Sequence, residues 1–327
     1  MDTREIFMTE TSASTARSRV SDSDLEVFPL VLGGNVFGWT ADEATSFDVL
    51  DGFVAGGGNF IDTADGYSHW VPGNAGGESE TIIGNWHTAR GNRDDVVIAT
   101  KVSTHPQFSG LAADNIRLAA DASLGRLKTD HIDLYYAHFD DASVPLEETI
   151  GALSALVDAG KVRYIAISNY TPERIDEWFR VTAENGLHRA VALQPHYNLV
   201  ERGFESGLRE RAARENLAVF PYFSLASGFL AGKYRDENAS TSDSPRAGGA
   251  RAYLDERGRR VLASLDSIAA AHEASVASVS LAWLRQQPTV LAPIASARTT
   301  EQLPDLLASA ELVLTDAELA ALDAASA

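Results

Sequence analysis

Cysteine is absent from the 327-residue chain, which excludes disulfides, thiolate nucleophiles and Cys-based zinc or iron–sulfur centres. Basic residues are scarce: 27 Lys and Arg stand against 46 Asp and Glu, a net charge of −19 with histidine neutral. That sign argues against nucleic acid or an anionic membrane as the principal partner, while leaving room for a local basic pocket around a phosphate. No apolar run approaches the ~18 residues of a membrane span. The opening stretch, Met1 to Ser23, is rich in Ser, Thr, Asp and Arg and lacks the apolar centre of a secretory signal. No G-x-G-x-x-G follows a predicted strand either, so a Rossmann dinucleotide site is not expected. The expectation is a cytoplasmic protein with a flexible arm over residues 1–17 and one folded domain over 18–327.

What is present is an α/β pattern. Hydrophobic residues make up 45% of the chain, enough for a large core. Weak alternation around polar turn residues predicts a hairpin over Val20–Val27. Predicted strands then alternate with helices: Leu30–Leu32, Phe60–Ile61, Val96–Thr100, Ile132–Ala137, Val162–Ile167, Ala190–Leu193, Leu217–Phe220 and Thr289–Ile294. Thr40-Ala41-Asp42-Glu43 has the spacing of a capping box ahead of the first helix, and Gly56-Gly57-Gly58 stops it. Further helices are predicted over Glu78–Ala89, Ala112–Leu127, Leu146–Ala159 and Glu301–Ser309. Thr171-Pro172 opens one more, and Thr315-Asp316-Ala317-Glu318 caps the last. Eight strands, each feeding a helix, fit a (β/α)8 TIM barrel better than an open sheet. Lys233 to Arg251 breaks the rhythm as a long polar loop, the kind that serves as a lid or stays disordered.

Titratable groups collect at the ends of three successive strands. Phe60-Ile61 is followed at once by Asp62, a polar turn and Tyr67; Val96–Thr100 ends in Lys101; Ile132–Ala137 ends in His138. In a parallel barrel these ends share one rim, where catalytic residues gather. A cation beside a phenol favours the phenolate, and a carboxylate can hold the ammonium in place, so Tyr67 becomes a usable general acid tuned by Lys101 and Asp62. Taken alone, Lys101 also reads as a snorkelling surface lysine, and His138 as a satisfied structural histidine. Asp133 and Asp140 near His138 raise a metal site, but no second histidine lies at ligand spacing, and no metal is expected. Phe37, Trp39, Trp70 and Phe139 are candidates to line an apolar substrate wall.

The phrases "FIDTADGY", "IATK" and "DLYYAH" resemble the aldo-keto reductase family, whose catalytic tetrad maps onto Asp62, Tyr67, Lys101 and His138. The resemblance runs from about Leu30 to Leu312. It implies an N-terminal hairpin that closes the barrel bottom, and a nicotinamide cofactor laid across the barrel mouth. Ser168, Asn169 and Gln194 match the family's carboxamide-binding residues, and Tyr222 matches the ring that stacks on the nicotinamide. Gly34 and Asn35, after the first barrel strand, fall on the same cofactor side, as does Asp62. Leu225 and Gly228 match backbone contacts to the pyrophosphate, with Lys233 nearby. Phe223 stands where the family's usual continuation has a serine, which removes one polar contact. Ser296, Arg298 and Gln302 look like the adenosine-phosphate segment, with Ser296 in place of a common glycine and Leu306 in place of an adenine-reaching asparagine. A guanidinium suits a 2′-phosphate, so the resemblance implies NADPH and a small-molecule carbonyl substrate. Two other functions are compatible with the fold: a Schiff-base aldolase or isomerase acting through Lys101, and a non-catalytic nucleotide-binding regulatory subunit.

Overall fold

The structure is a computed structural model that describes residues 17–235 and 247–327. The predicted N-terminal arm, apart from Arg17, therefore lies outside the described residues, as do residues 236–246 of the predicted polar loop.

A hairpin of β1 (Ser18–Arg19) and β2 (Glu26–Val27) precedes the barrel strands β3 (Val31–Gly33), β4 (Phe60–Asp62) and β5 (Val97–Val102). A small antiparallel pair, β6 (Thr104–His105) and β7 (Phe108–Ser109), follows. The barrel continues with β8 (Ile132–Ala137), β9 (Val162–Ser168), β10 (Ala190–Gln194), β11 (Ala218–Val219) and β12 (Ile294–Ala295). The eight barrel strands are parallel, in the order β11-β10-β9-β8-β5-β4-β3-β12. The two ends of that order meet: Val219 N–H donates to Thr289 O, Leu291 N–H to Val219 O and Ile294 N–H to Pro221 O, closing the barrel. The helices are α1 (Glu43–Ala55), α2 (Glu78–Arg90), α3 (Ala113–Leu127), α4 (Leu146–Asp158), α5 (Pro172–Asn185), α6 (Leu208–Arg214), α7 (Ala247–Arg251), α8 (Glu256–Ala271), α9 (Val276–Arg285), α10 (Leu303–Ala308) and α11 (Asp316–Ser326). No described helix is long and apolar enough to cross a membrane.

The period of two along each strand sorts the core into layers. Ile61, Ile98, Tyr135, Ile165 and Leu193 point outward and pack under the helices. Phe60, Val97, Ala99, Leu134, Tyr136, Ala166, Ala192 and Phe220 point inward and fill the barrel. Val20, Leu25 and Val27 of the hairpin join this inner cluster and plug the barrel bottom. Two residues further along the same inward rows come Asp62, Lys101, His138, Ser168, Gln194 and Tyr222. These six residues are thus the next storey of the core, which is why their positions are set by packing.

Several sequence expectations are corrected. The α1 cap is Asp42, whose Oδ1 accepts from Thr45 N–H at 2.9 Å. Thr40 and Ala41 are spent instead in a turn, both donating their N–H to Val36 O. The last strand is confined to Ile294–Ala295, because Pro293 cannot donate to a ladder and Thr289 sits at φ 70°. The segment expected as a polar loop ends in the short helix α7. Helices α8 and α9 were not delimited from the sequence, although Asp255 and Ser275 cap them, accepting from Gly258 and Ser278 N–H. The caps of α5 at Thr171 and of α11 at Thr315 and Glu318 are as expected.

Two helical glycines give opposite predictions. A Cβ on Gly84, midway along α2, would run into Arg126 O and lie 2.9 Å from Leu127 Cα, so the middle of α2 meets the end of α3 backbone to backbone. Gly151 in α4 has no neighbour within 4 Å of such an atom. Gly84→Ala is expected to lower unfolding free energy by about 1–3 kcal/mol through overpacking. Gly151→Ala should raise it by about 0.5–1 kcal/mol through helix propensity alone. Urea unfolding of both checks this; equal signs would refute the packing argument.

Candidate active site

Lys101 carries no exposed surface and spends its three protons on fixed partners: Nζ lies 2.6 Å from Asp62 Oδ2, 2.7 Å from Thr63 O and 3.0 Å from Tyr67 OH. Asp62 is held from its other side by Gln194 Nε2, which donates to Oδ1 at 2.9 Å. Burial pulls the Lys101 ammonium down, but Asp62 and Tyr67 outweigh it and hold the pKa above the ordinary lysine value. The amine is therefore a fixed cation at neutral pH. It is poorly suited to be a Schiff-base nucleophile, which needs the free base. Tyr67, by contrast, is half-buried and opens onto the cavity.

His138 closes the other side of Tyr67, with ring centroids 6.2 Å apart. Burial, and then the Lys101 charge, hold its pKa well below the ordinary imidazole value, so it is neutral near pH 7 and keeps one N–H to donate. Its Nδ1 is 3.4 Å from Thr104 Oγ1. Asp133 and Asp140, weighed with it as a metal site, are both taken by arginines: Asp133 by Arg93 and Arg163, Asp140 by a two-pronged pair to Arg174. Among the described residues no cluster of three His, Asp or Glu is placed to hold a metal ion.

The cavity in front of Tyr67 has a volume of about 690 Å³ and runs past Asn169, Gln194 and Tyr222 to Ser296, Arg298 and Gln302. Asn169, at φ 59°, donates to His138 O at 2.9 Å and accepts from Tyr222 OH at 2.8 Å. Ser168 is buried and does not line the cavity; its hydroxyl donates to Gln194 O at 2.8 Å. Ser296 Oγ donates to Asn35 Oδ1 at 2.8 Å, and Gln302 Oε1 accepts from Arg298 N–H at 2.9 Å. Leu225 and Lys233 line the same cavity. Gly228 lines it too, but its N–H is spent on Leu225 O within a tight turn, so it is not a free phosphate donor. Gly34 lies behind the lining, its Cα facing Ser79 Oγ and Asp62 O; the neighbouring Gly33 lines the cavity instead.

Of the expected aromatic wall, Trp70 and Phe139 line the cavity. Trp39 stands behind Trp70, edge to face at 5.5 Å. Phe37 is wholly buried beside Gly34 and does not reach the opening, a correction that follows from its place in the core under Gly34 and Ser68. Sequence reasoning missed three residues: Thr104 beside His138, His196 stacked on Tyr222 at 5.2 Å, and Phe223 as a cavity-facing ring. Only Phe223 gave a signal, through its departure from the expected serine.

Comparison with known proteins gives the family. A family model described as "Aldo/keto reductase family" matches residues 29–327. Protein tas of Escherichia coli (strain K12) is 33% identical, covering 94% of this chain and 96% of its own. Norsolorinic acid reductase B of Aspergillus parasiticus is 32% identical over 92% of this chain and 81% of its own. The uncharacterized oxidoreductase YrpG of Bacillus subtilis is 35% identical over 89% of each. The chain is an oxidoreductase and belongs to the aldo/keto reductase family.

Proposed function

We propose that the protein reduces an aldehyde or ketone to an alcohol with NADPH, and that Tyr67 is the proton donor. The observation that carries this reading is the contact of Lys101 Nζ with both Tyr67 OH and Asp62, a charged pair aimed at a phenol that faces an open cavity. The lining suits a nicotinamide dinucleotide. Asn169 and Gln194, their amide nitrogens held by His138 O and Asp62, offer amide oxygens to a carboxamide, Tyr222 a ring face to the nicotinamide, and Lys233 and Arg298 cations to phosphates. When bound, the reduced cofactor supplies the hydride to the carbonyl carbon. Tyr67 passes its proton to the carbonyl oxygen as the C=O π bond becomes an O–H bond. Lys101 stabilises the phenolate left behind, Asp62 keeps the ammonium in line, and neutral His138 donates a hydrogen bond to the same oxygen. Solvent then restores the phenol. Oxidation of NADPH in the presence of a panel of carbonyl compounds tests the assignment; a protein that binds NADPH but turns over none of them would be a nucleotide-binding module.

Preference for NADPH rests on Arg298, which shares its end of the cavity with Glu301 and Asp305. Those carboxylates suit a ribose diol better than a phosphate, so the guanidinium has to outweigh them. Arg298→Ala is expected to raise KM for NADPH about tenfold, the weight of one charge-assisted hydrogen bond. KM for NADH should change far less. An equal change for both cofactors would remove the 2′-phosphate contact.

A further inference from the structure

The chain leaves the strand of Lys101 through a strained residue. Ser103 has φ 126°, a backbone conformation that residues with a side chain rarely adopt, and its buried hydroxyl has no hydrogen-bond partner. The strain is held in place from both ends: Ser103 O accepts from Gly110 N–H at 3.0 Å, and the β6–β7 pair sets Thr104 against Ser109. Strain that the surroundings maintain points to a task for the residue it delivers. That residue is Thr104, which lines the cavity.

Thr104 touches the supports of both Tyr67 and His138. A Cβ on Gly66 would lie 2.7 Å from Thr104 Oγ1 and 3.0 Å from its carbonyl carbon and oxygen, so the turn that carries Tyr67 rests directly on Thr104. The same Oγ1 lies 3.4 Å from His138 Nδ1. The backbone of His138 is fixed, its N–H on Val102 O at 3.0 Å and its O accepting from Asn169 Nδ2 at 2.9 Å. What is left to decide is where the ring keeps its proton. Neutral His138 has one N–H and one lone pair, and the partner of one nitrogen settles the state of the other. Among the described residues, Thr104 Oγ1 is the only hydrogen-bond partner of the ring nitrogens, and Nδ1 is the only partner of that hydroxyl. A proton on Nδ1 would leave the hydroxyl hydrogen with no acceptor in the fold. A proton on Nε2 lets the hydroxyl donate to Nδ1 and leaves Nε2–H as the ring's free donor.

Building on the carbonyl reductase reading, we infer that Thr104 is a positioning residue that fixes His138 as the Nε2–H tautomer, so that the ring donates to the carbonyl oxygen. The other tautomer would turn a lone pair toward that oxygen, which repels the charge that develops there. One hydroxyl on a β-branched side chain, stiff about χ1 and braced against Gly66, makes the difference.

Proton–nitrogen correlation spectra of protein labelled with nitrogen-15 at histidine read the tautomer directly, with His138 assigned by the signals lost in His138→Gln. The wild-type ring should be Nε2–H. Thr104→Val keeps the shape and removes the hydroxyl, so its His138 should populate both tautomers. Its kcat for carbonyl reduction should fall about tenfold, the weight of one neutral hydrogen bond, with KM changed by less than about twofold. Thr104→Ser should restore both the tautomer and kcat. An Nδ1–H ring in the wild-type protein overturns the inference before any variant is made. So does a Thr104→Val ring that stays wholly Nε2–H, or one that shifts while kcat stays within about twofold of wild type. The spectra need neither cofactor nor substrate, which separates this inference from the reductase reading. Tautomers as expected in a protein that reduces no carbonyl compound would keep the hold of Thr104 on His138 and remove the reaction.

Discussion

Replacing Lys101 with methionine is expected to abolish measurable carbonyl reduction and to destabilise the fold, whereas Tyr67→Phe should abolish the first and spare the second. The two losses have different origins. Among the described residues Tyr67 is the only phenol that both touches the ammonium and lines the cavity near His138, so on the function proposed above removing its hydroxyl deletes the proton source, worth about 10³-fold in kcat for a general acid. Its ring stays and its hydroxyl accepts only one of the three Lys101 hydrogen bonds, so stability should move by less than about 1 kcal/mol. Methionine at 101 keeps the volume but leaves the Asp62 carboxylate buried with Gln194 as its remaining partner. Breaking a buried ion pair by removing one member costs about 3–5 kcal/mol. Denaturant unfolding beside kcat separates the two: a Lys101→Met protein as stable as wild type would mean that the Lys101–Asp62 pair adds nothing to the stability of the fold.

The inward rows explain how much of this was legible in the sequence. β5, β8, β9 and β10 are mostly buried and read as largely apolar runs interrupted by Asp133 and Arg163, so their predicted spans fall within a residue or two of the observed ones. Lys101, His138 and Gln194 close or follow such runs, and their departure from the apolar pattern is what made them visible. β11 and β12 have two residues each and are joined through bridges beside Pro221 and Pro293, so neither periodicity nor length could fix their bounds. Phe37 failed for a different reason: an aromatic residue beside a rim looks the same in sequence whether it faces the opening or the core. Phe223 was visible only as a departure from a family pattern, and its exposure and strained backbone are tertiary facts. The surroundings of Asp65 were illegible because they are assembled from β5, α2, α3 and β8, with no shared local spacing.

Those surroundings give the second large effect. Asp65 sits in the turn between Asp62 and Tyr67, fully buried, its N–H on Lys101 O at 3.1 Å and its carboxyl group facing no side-chain donor, only the Gly66 and Ser103 backbone. Burial first, and then the charge of Glu80, push its pKa up to about 8, with Arg126 and those two amides opposing. Glu80 on α2 is itself tied to Arg126 of α3 at 2.6 Å and to Thr100 of β5 at 2.5 Å, so the cation is shared and does not neutralise Asp65. Tyr135 on β8, the remaining titratable neighbour, is a phenol that burial keeps protonated. Below about pH 4 the carboxyl is protonated in both the folded and unfolded chain, and it contributes no pH dependence. Between pH 4 and 8 the unfolded chain releases this proton and the folded chain keeps it, so folding takes up a proton and grows steadily less favourable. Above pH 8 the penalty is complete and constant. Asp65→Asn removes the titration without changing shape, so it should stabilise the protein by a margin that grows from pH 4 to 8 and then levels at roughly 2–4 kcal/mol, net of the cost of burying an amide. Urea unfolding of both proteins at pH 5 and pH 8.5 measures it. A difference that is the same at the two values would show that Asp65 ionises inside the fold much as it does in water, and that the turn carrying Tyr67 rests on a charge.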